Sequence, residues 1–317
     1  MIVTVTANPS LDRTLEVEAL VRGRVIRATA ARLHPGGKGV NVARALVANG
    51  VPARAVLPAG GPEGERLLGL LEGLGLEVEA VPIGGAVREN VTVVEPDGTV
   101  TKLNAPGPRL STAEVDALVE ATLRASRGAA WVALCGTLPP GVPEDLYARL
   151  VGELRAVGVR VAVDSSGPAL AAALAAGPDV VKPNRRELGE VVGRPLASLP
   201  DVLRATGEVL RRGVRQVLVS LGEAGAVYAA DGVAMRASTP PVVARSTVGA
   251  GDAALAGFLA QDGVLPEALR TAVAWAAAAV ALPGTEMPGP EAIDRGSVLL
   301  EELDGEAVER EGGEGIG

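Results

Sequence analysis

The sequence predicts an α/β chain whose mostly parallel sheet is covered by helices on both faces. Short apolar runs of strand type alternate with amphipathic stretches of helix length through most of the 317 residues. That alternation is the signature of successive βαβ units. Hydrophobic residues make up 48% of the chain but aromatics only 2%, so Ala, Val and Leu must fill the core. Such a core suits parallel strands buried from both sides. Two segments break the alternation and carry no helix.

Ile2–Thr6 opens the chain as a strand, with no basic leader region before it. The first irregular segment follows, holding two β-type runs, Thr14–Val17 and Val25–Arg32, joined around Arg22-Gly23-Arg24. A helix over Gly39–Ala48, a strand over Arg54–Leu57 and a helix over Glu63–Leu74 come next. The second irregular segment pairs Glu89–Glu95 with Thr99–Leu103 through the turn signal Pro96-Asp97-Gly98. Two readings of these segments stand: edge hairpins of the main sheet, or a small separate lid formed by both. Ser111 and Glu114 form a capping-box pattern at the start of a helix over Thr112–Ser126. Strands over Ala130–Leu134, Arg160–Val163, Val180–Lys182 and Gln216–Ser220 alternate with helices over Glu144–Val157 and Leu199–Arg212. The longest apolar run, Ala272–Leu282, is far short of the ~20 residues a membrane span needs and reads as a buried helix. The Glu/Gly-rich end from Asp304 to Gly317 is expected to fray.

Lys and Arg total 30 against 38 Asp and Glu, a net charge of −8. Nothing general therefore attracts nucleic acid or anionic lipid. The single cysteine, Cys135, excludes an internal disulfide and a cysteine zinc cluster. The single histidine, His34, reads as a structural loop residue and excludes His-rich metal sites. A cytoplasmic location is expected.

Thr247-Val248-Gly249-Ala250-Gly251-Asp252 runs into the Ala-rich helix Ala253–Ala260. Glycines before a helix let backbone N–H groups converge on an anion, and the helix dipole adds to the attraction. Such a nest suits a phosphoryl group in flight, and Asp252, held ionised by the helix start, can accept a proton from an attacking hydroxyl. An ordinary helix start with a dipole-complementing Asp fits the same residues. Gly249-x-Gly251-x-x-Ala254 also fits a dinucleotide fingerprint loosely, but late in the chain and with no βαβ unit after it. The Gly-rich His34–Asn41 segment opens a helix, yet its glycine spacing is not that of a P-loop. Asp12 follows the first strand, as a sugar-hydroxyl acceptor or an Asx-turn residue. Asn184 reads as a helix N-cap, or with Glu187 as a Mg²⁺ contact through water. Arg88, Asn90 and Arg27 sit in the irregular segments, where a lid would bring them to a substrate phosphate. Cys135 has no basic neighbour in sequence and reads as an inert buried thiol.

In order, Thr6–Asp12, Gly36–Arg44, Cys135–Gly141, Asp164–Gly167, Lys182–Leu188, Val219–Gly222 and Thr247–Asp252 resemble motifs of the ribokinase-like sugar kinases. They resemble most the phosphosugar branch of 1-phosphofructokinases and tagatose-6-phosphate kinases. The resemblance implies a three-layer α/β/α fold over residues 1–317, with lid strands from about 12–34 and 87–105 that often clasp a second copy. It implies ATP and Mg²⁺, with Asp252 as base and Gly249, Ala250 and Gly251 as the anion hole. Asp12, Gly37, Lys38, Asn41, Arg88, Asn90 and a lid-borne Arg27 would hold the phosphosugar. Lys182, Asn184, Ser220 and Gly222 would hold the nucleotide, with Glu187 and Asn184 toward the metal through water and Asp164 nearby. Gly36-Gly37-Lys38-Gly39 resembles the fructose-1-phosphate and tagatose-6-phosphate kinases, where fructose-6-phosphate kinases of the family tend to carry glycine at the lysine. Val42–Leu46 and Pro139-Pro140-Gly141 tilt the expectation to fructose 1-phosphate. Cys135 and Thr137 stand where serines are usual, which bears on a sugar-hydroxyl contact, and Glu89 replaces an apolar residue near the phosphate subsite. A catalytically silent sugar-phosphate sensor on the same fold is the alternative of a different class; it would have no need of Asp252.

Overall fold

The computed structural model describes residues 1–305 and 308. The chain runs β1 (Ile2–Thr6), β2 (Ser10–Glu16), β3 (Ala30–Gly36), α1 (Lys38–Ala48), β4 (Ala53–Ala59), α2 (Gly61–Gly73), β5 (Glu77–Pro82), β6 (Arg88–Val94) and β7 (Val100–Leu103). It continues through α3 (Thr112–Ala125), β8 (Trp131–Cys135), α4 (Leu146–Ala156), β9 (Arg160–Asp164), α5 (Gly167–Ala175), β10 (Val180–Val181), α6 (Arg185–Val192) and α7 (Leu199–Arg211). The last elements are β11 (Gln216–Ser220), β12 (Ala226–Ala230), β13 (Val233–Ser238), α8 (Ala250–Ala260), α9 (Glu267–Val280) and β14 (Leu299–Leu303).

Ten strands form one sheet in the order β14-β13-β12-β11-β10-β9-β8-β1-β4-β5. From β5 across to β11 every neighbour is parallel, and β12, β13 and β14 extend that edge antiparallel. The alternation of side chains along a strand divides the core in two. Val132 and Leu134 of β8 join the layer under α3 to α7, while Trp131, Ala133 and Cys135 face α1, α2, α8 and α9. This is the three-layer α/β/α arrangement the sequence predicts, with small Ala, Val and Leu side chains on both faces. Among the described residues no helix is long and apolar enough to cross a membrane.

The two irregular segments leave the main sheet and pair with each other, in the order β3-β2-β6-β7. β2 runs antiparallel to β3 and parallel to β6, and β7 folds back on β6. One insertion lies between β1 and α1, the other between β5 and α3. The second has the expected turn, with the Gly98 N–H donating to the Glu95 carbonyl at 3.0 Å. The first differs from expectation: β3 begins at Ala30, and Val25, expected in the second run, is 87% exposed. Cross-strand partners decide this, because β2 is locked to both β3 and β6 while Val25 and Ile26 have no strand beside them. His34, Pro35 and Gly36, expected in a helix-opening loop, instead finish β3. The Asp304–Gly317 end expected to fray lies almost wholly outside the described residues.

Candidate active site

The carboxyl ends of β1, β8, β9 and β10 meet the starts of α1, α6 and α8 beneath the lid, the edge at which parallel sheets receive ligands. Gly249 stands at the N-cap of α8 in the left-handed region (φ 84°), a conformation that places the chain for the helix without a side chain in the way. No side chain caps this start, and the first backbone bond of the helix runs from the Ala253 N–H to the Gly249 carbonyl at 2.8 Å. The N–H groups of Ala250, Gly251 and Asp252 are thus orphan donors with the helix dipole behind them.

Asp252 lies in that first turn and is 7% exposed. Burial, helped by the Asp164 carboxylate, pushes its pKa up to about 6, against the pull of Lys38, Asn41 and Lys182. The helix start is expected to hold the group ionised; burial works against it and moves the titration toward neutral pH. The Asn41 amide donates to Asp252 Oδ2 at 2.8 Å. Asn41, expected to contact sugar, is thus a hydrogen-bond partner of Asp252.

Asp164, at the end of β9, is fully buried and ion-paired on both oxygens, with Lys38 Nζ at 2.6 Å and Lys182 Nζ at 2.9 Å. Burial alone would raise its pKa, but the two lysines overcome it and lower it. For Lys38 burial likewise opposes the charge, and Asp164, Glu187 and Asp252 outweigh it and raise the pKa. Lys38 Nζ also lies 3.7 Å from Glu187 Oε1. Lys38, expected to contact the phosphosugar, thus lies against Asp164 and near Glu187.

Asn184 has the capping role: its side chain accepts from the Glu187 N–H at 2.9 Å, and Glu187 Oε2 accepts from the Asn184 N–H at 2.9 Å. Ser220 forms a parallel bridge with Asn184, and Gly222 opens an exposed turn just beyond β11. Ser220 thus lies beside the start of α6. Among the described residues no group of three or more His, Cys, Asp or Glu is arranged to hold a metal.

The lid sheet carries most of the other residues expected at the site. Asp12 lies opposite both His34 and Asn90 in register, and its Oδ1 accepts from Ser10 at 2.8 Å and from Asn90 at 2.9 Å. The carboxylate packs over Gly36, where any Cβ would overlap it, and so Gly36 is glycine. Arg88 donates to the Ala105 carbonyl at 2.9 Å and to the Asn8 carbonyl at 3.0 Å, and its buried Nε has no partner. Glu89 points to the other face of β6, where it pairs with Arg13, so its charge is matched away from Arg88. Arg27 lies in the exposed connection between β2 and β3, and no hydrogen bond or ion pair among the described residues ties it to the cluster. Gly37 separates β3 from α1, with its backbone against Pro9. Cys135 is fully buried, and burial raises its thiol pKa well above the ordinary value, as the reading of an inert thiol requires.

A buried carboxyl, an uncapped helix start, two lysines and a polar lid are residue types suited to phosphoryl transfer to an alcohol. Known proteins place the chain in the same class. It is 42% identical over 299 residues to the 1-phosphofructokinase of Rhodobacter capsulatus, covering 92% of this chain and 93% of that protein. It is 38% identical over 292 residues to the ATP-dependent 6-phosphofructokinase isozyme 2 of Escherichia coli, covering 90% and 94%. The crystal structure of Escherichia coli phosphofructokinase-2 in complex with substrates and products superposes with a TM-score of 0.87 at 37% identity, over 92% of this chain and 96% of that one. The model of the pfkB family carbohydrate kinases matches residues 5–292, and the chain belongs to that family.

Proposed function

We propose that the protein transfers the γ-phosphoryl group of ATP to the free hydroxymethyl group of fructose 1-phosphate, giving fructose 1,6-bisphosphate and ADP. The observation that carries this reading is the buried Asp252 carboxylate beside the three orphan N–H groups of α8. The attacking hydroxyl oxygen bonds to the γ-phosphorus, the bond to the bridging oxygen breaks with its electron pair leaving on ADP, and the hydroxyl proton passes to Asp252. The amides of Ala250, Gly251 and Asp252 face the charge that spreads over the equatorial oxygens. Lys38 and Lys182 supply positive charge at the same place, and Asp164 holds both in position.

The residues fit a Mg²⁺ that arrives with the nucleotide. Glu187 Oε1 is the one oxygen of the capping pair left outside the cap, while Asn184 spends its oxygen on it. A single carboxylate oxygen suits an ion that keeps its waters and phosphate ligands. When bound, the ion neutralises phosphate charge, and Glu187 would meet it through water.

Asp12 and Asn90 would accept and donate to sugar hydroxyls, and Arg88 would face the acceptor phosphate with the N–H donors its two carbonyl contacts leave over. Replacing Arg88 by Ala is expected to cost about 2–4 kcal/mol in kcat/KM for the phosphosugar. ATP affinity should change little in steady-state and equilibrium binding measurements, and an equal loss for ATP would move Arg88 to lid folding. The clasp reading has the lid sheet meet a second copy, and the exposed Val100 and Leu103 of β7 support it. A cytoplasmic setting, where ATP is at hand, goes with the same reading.

The greater identity to a 1-phosphofructokinase and the Gly36-Gly37-Lys38-Gly39 sequence favour fructose 1-phosphate. In a coupled assay with Mg-ATP its kcat/KM should exceed those of fructose 6-phosphate and tagatose 6-phosphate. A higher value for either of those would transfer the assignment to it.

A further inference from the structure

Arg44 sits one turn along α1 from Asn41, on the same helix face. It is a buried arginine, 9% exposed, and among the described residues it forms no ion pair within 4.0 Å. Its Nη1 donates to two oxygens, the Pro35 carbonyl at 3.0 Å and Asn41 Oδ1 at 3.2 Å. Pro35 belongs to β3, the strand by which the lid returns to α1. From Asn41 the chain of hydrogen bonds continues, since the other end of that amide donates to Asp252 Oδ2 at 2.8 Å. Three groups therefore stand in series: lid strand, Arg44–Asn41, and the carboxylate.

An asparagine side chain is nearly symmetric in shape but has a donor at one end and an acceptor at the other. Asn41 fits the same space with its oxygen toward Asp252. In that orientation two oxygens would face each other, which is tolerable only when the carboxyl is protonated and therefore unable to act as a base. Arg44 decides between the two, because a guanidinium has no acceptor and demands the oxygen of Asn41 on its own side.

We propose that Arg44 is a positioning residue for the transfer: it fixes the Asn41 amide so that Asp252 meets a donor, and ties that setting to the end of the lid. The inference rests on the reading of Asp252 as the base. The charged groups around Asp252 are Asp164 at the end of β9, Lys182 after β10, and Lys38 and Arg44 itself on α1, with the Cys135 thiol of β8 below. Asp12, Glu286 and His34 lie around the other side of the guanidinium. Burial of Arg44 among three carboxylates keeps a positive charge close to Asp252, which adds to the effect of the amide in favouring the ionised base.

The test is the pH dependence of kcat in Arg44→Met and Arg44→Lys, with Mg-ATP and fructose 1-phosphate saturating. In Arg44→Met the acid limb of kcat should move up by about one pH unit, and kcat on the plateau should fall about tenfold. Arg44→Lys, which keeps a charged donor, should recover most of both. In an Asn41→Ala background the Arg44→Met change should add little, because its route to Asp252 is gone. Arg44→Gln serves in place of Met should that variant fail to fold. An acid limb that stays put in Arg44→Met, or a lysine variant no better than methionine, overturns the positioning role. Absence of an acid limb from the parent enzyme itself overturns instead the reading of Asp252 on which the proposal stands.

Discussion

Asp252→Asn is expected to lower kcat by roughly 10²–10⁴, the loss typical when a general base is removed. The substitution keeps the size of the side chain and can still accept from Asn41 through its oxygen. It removes the proton acceptor and leaves the orphan N–H groups of α8 in place, so ATP binding should stay near that of the parent. The pH dependence sharpens the test. The parent carboxyl has a pKa near 6 in the folded protein, so kcat should fall as pH drops through that value. The residual activity of the Asn variant should lack that limb. Stability carries the opposite sign from most carboxylates: because the folded pKa lies above the ordinary 3.8, the folded state binds the extra proton between the two values. The parent therefore gains stability relative to Asp252→Asn as pH is lowered from about 6 towards 4. Turnover within about threefold of the parent at pH 7 would remove Asp252 from the role.

Asp164→Asn should cost more stability than any other single change at the site, about 3–5 kcal/mol by chemical denaturation at pH 7. Asp164 is fully buried, and Lys182, only 4% exposed in its side chain, has it as the nearest counter-charge at 2.9 Å. Taking the charge from one partner leaves the other buried without compensation, which is the costly case. The two lysines depress the Asp164 pKa, so its stabilisation is present above 3.8 and is lost only as pH falls below that value. The difference between parent and variant should accordingly hold at pH 7 and at pH 5. A difference under about 1 kcal/mol at both would mean that the lysines find water or another partner.

The fold was readable where side-chain periodicity is a local property. Ile2–Thr6 and Gln216–Ser220 were bounded to the residue, and the Ser111–Glu114 and Asn184–Glu187 patterns are both capping boxes. β12, β13 and β14 escaped because their burial comes from an antiparallel edge assembled late in the chain. α5 escaped because an Ala-rich run has almost no amphipathic period. The edges of the first lid hairpin were misplaced because a parallel partner 78 residues away sets its register, as the Asp12–Asn90 bond shows. At the site, residue types and motif order pointed to Asp252, Asp12, Asn90 and Asp164. Partners do not follow from them. Nothing local joins Lys38 to Asp164, and Arg44 stands inside a motif with no signal of its own, since nothing local connects it to a carboxylate 208 positions on.

The lid is built from two separate inserts of the chain. β2 departs at Ser10 and β3 returns at Gly36, and these two residues face each other across the ladder. The second insert departs at Arg88 and is closed at its base by the bond from Arg88 to the Ala105 carbonyl. Each excursion thus begins and ends close together beside the main sheet. Asp12 and Asn90 ride on these excursions, whereas Lys38, Asp164, Lys182 and Asp252 stay in the layered body. A change in the inserts would reach the body through the bonds that cross between them, from Arg44 to the Pro35 carbonyl and from Arg88 to the Asn8 carbonyl.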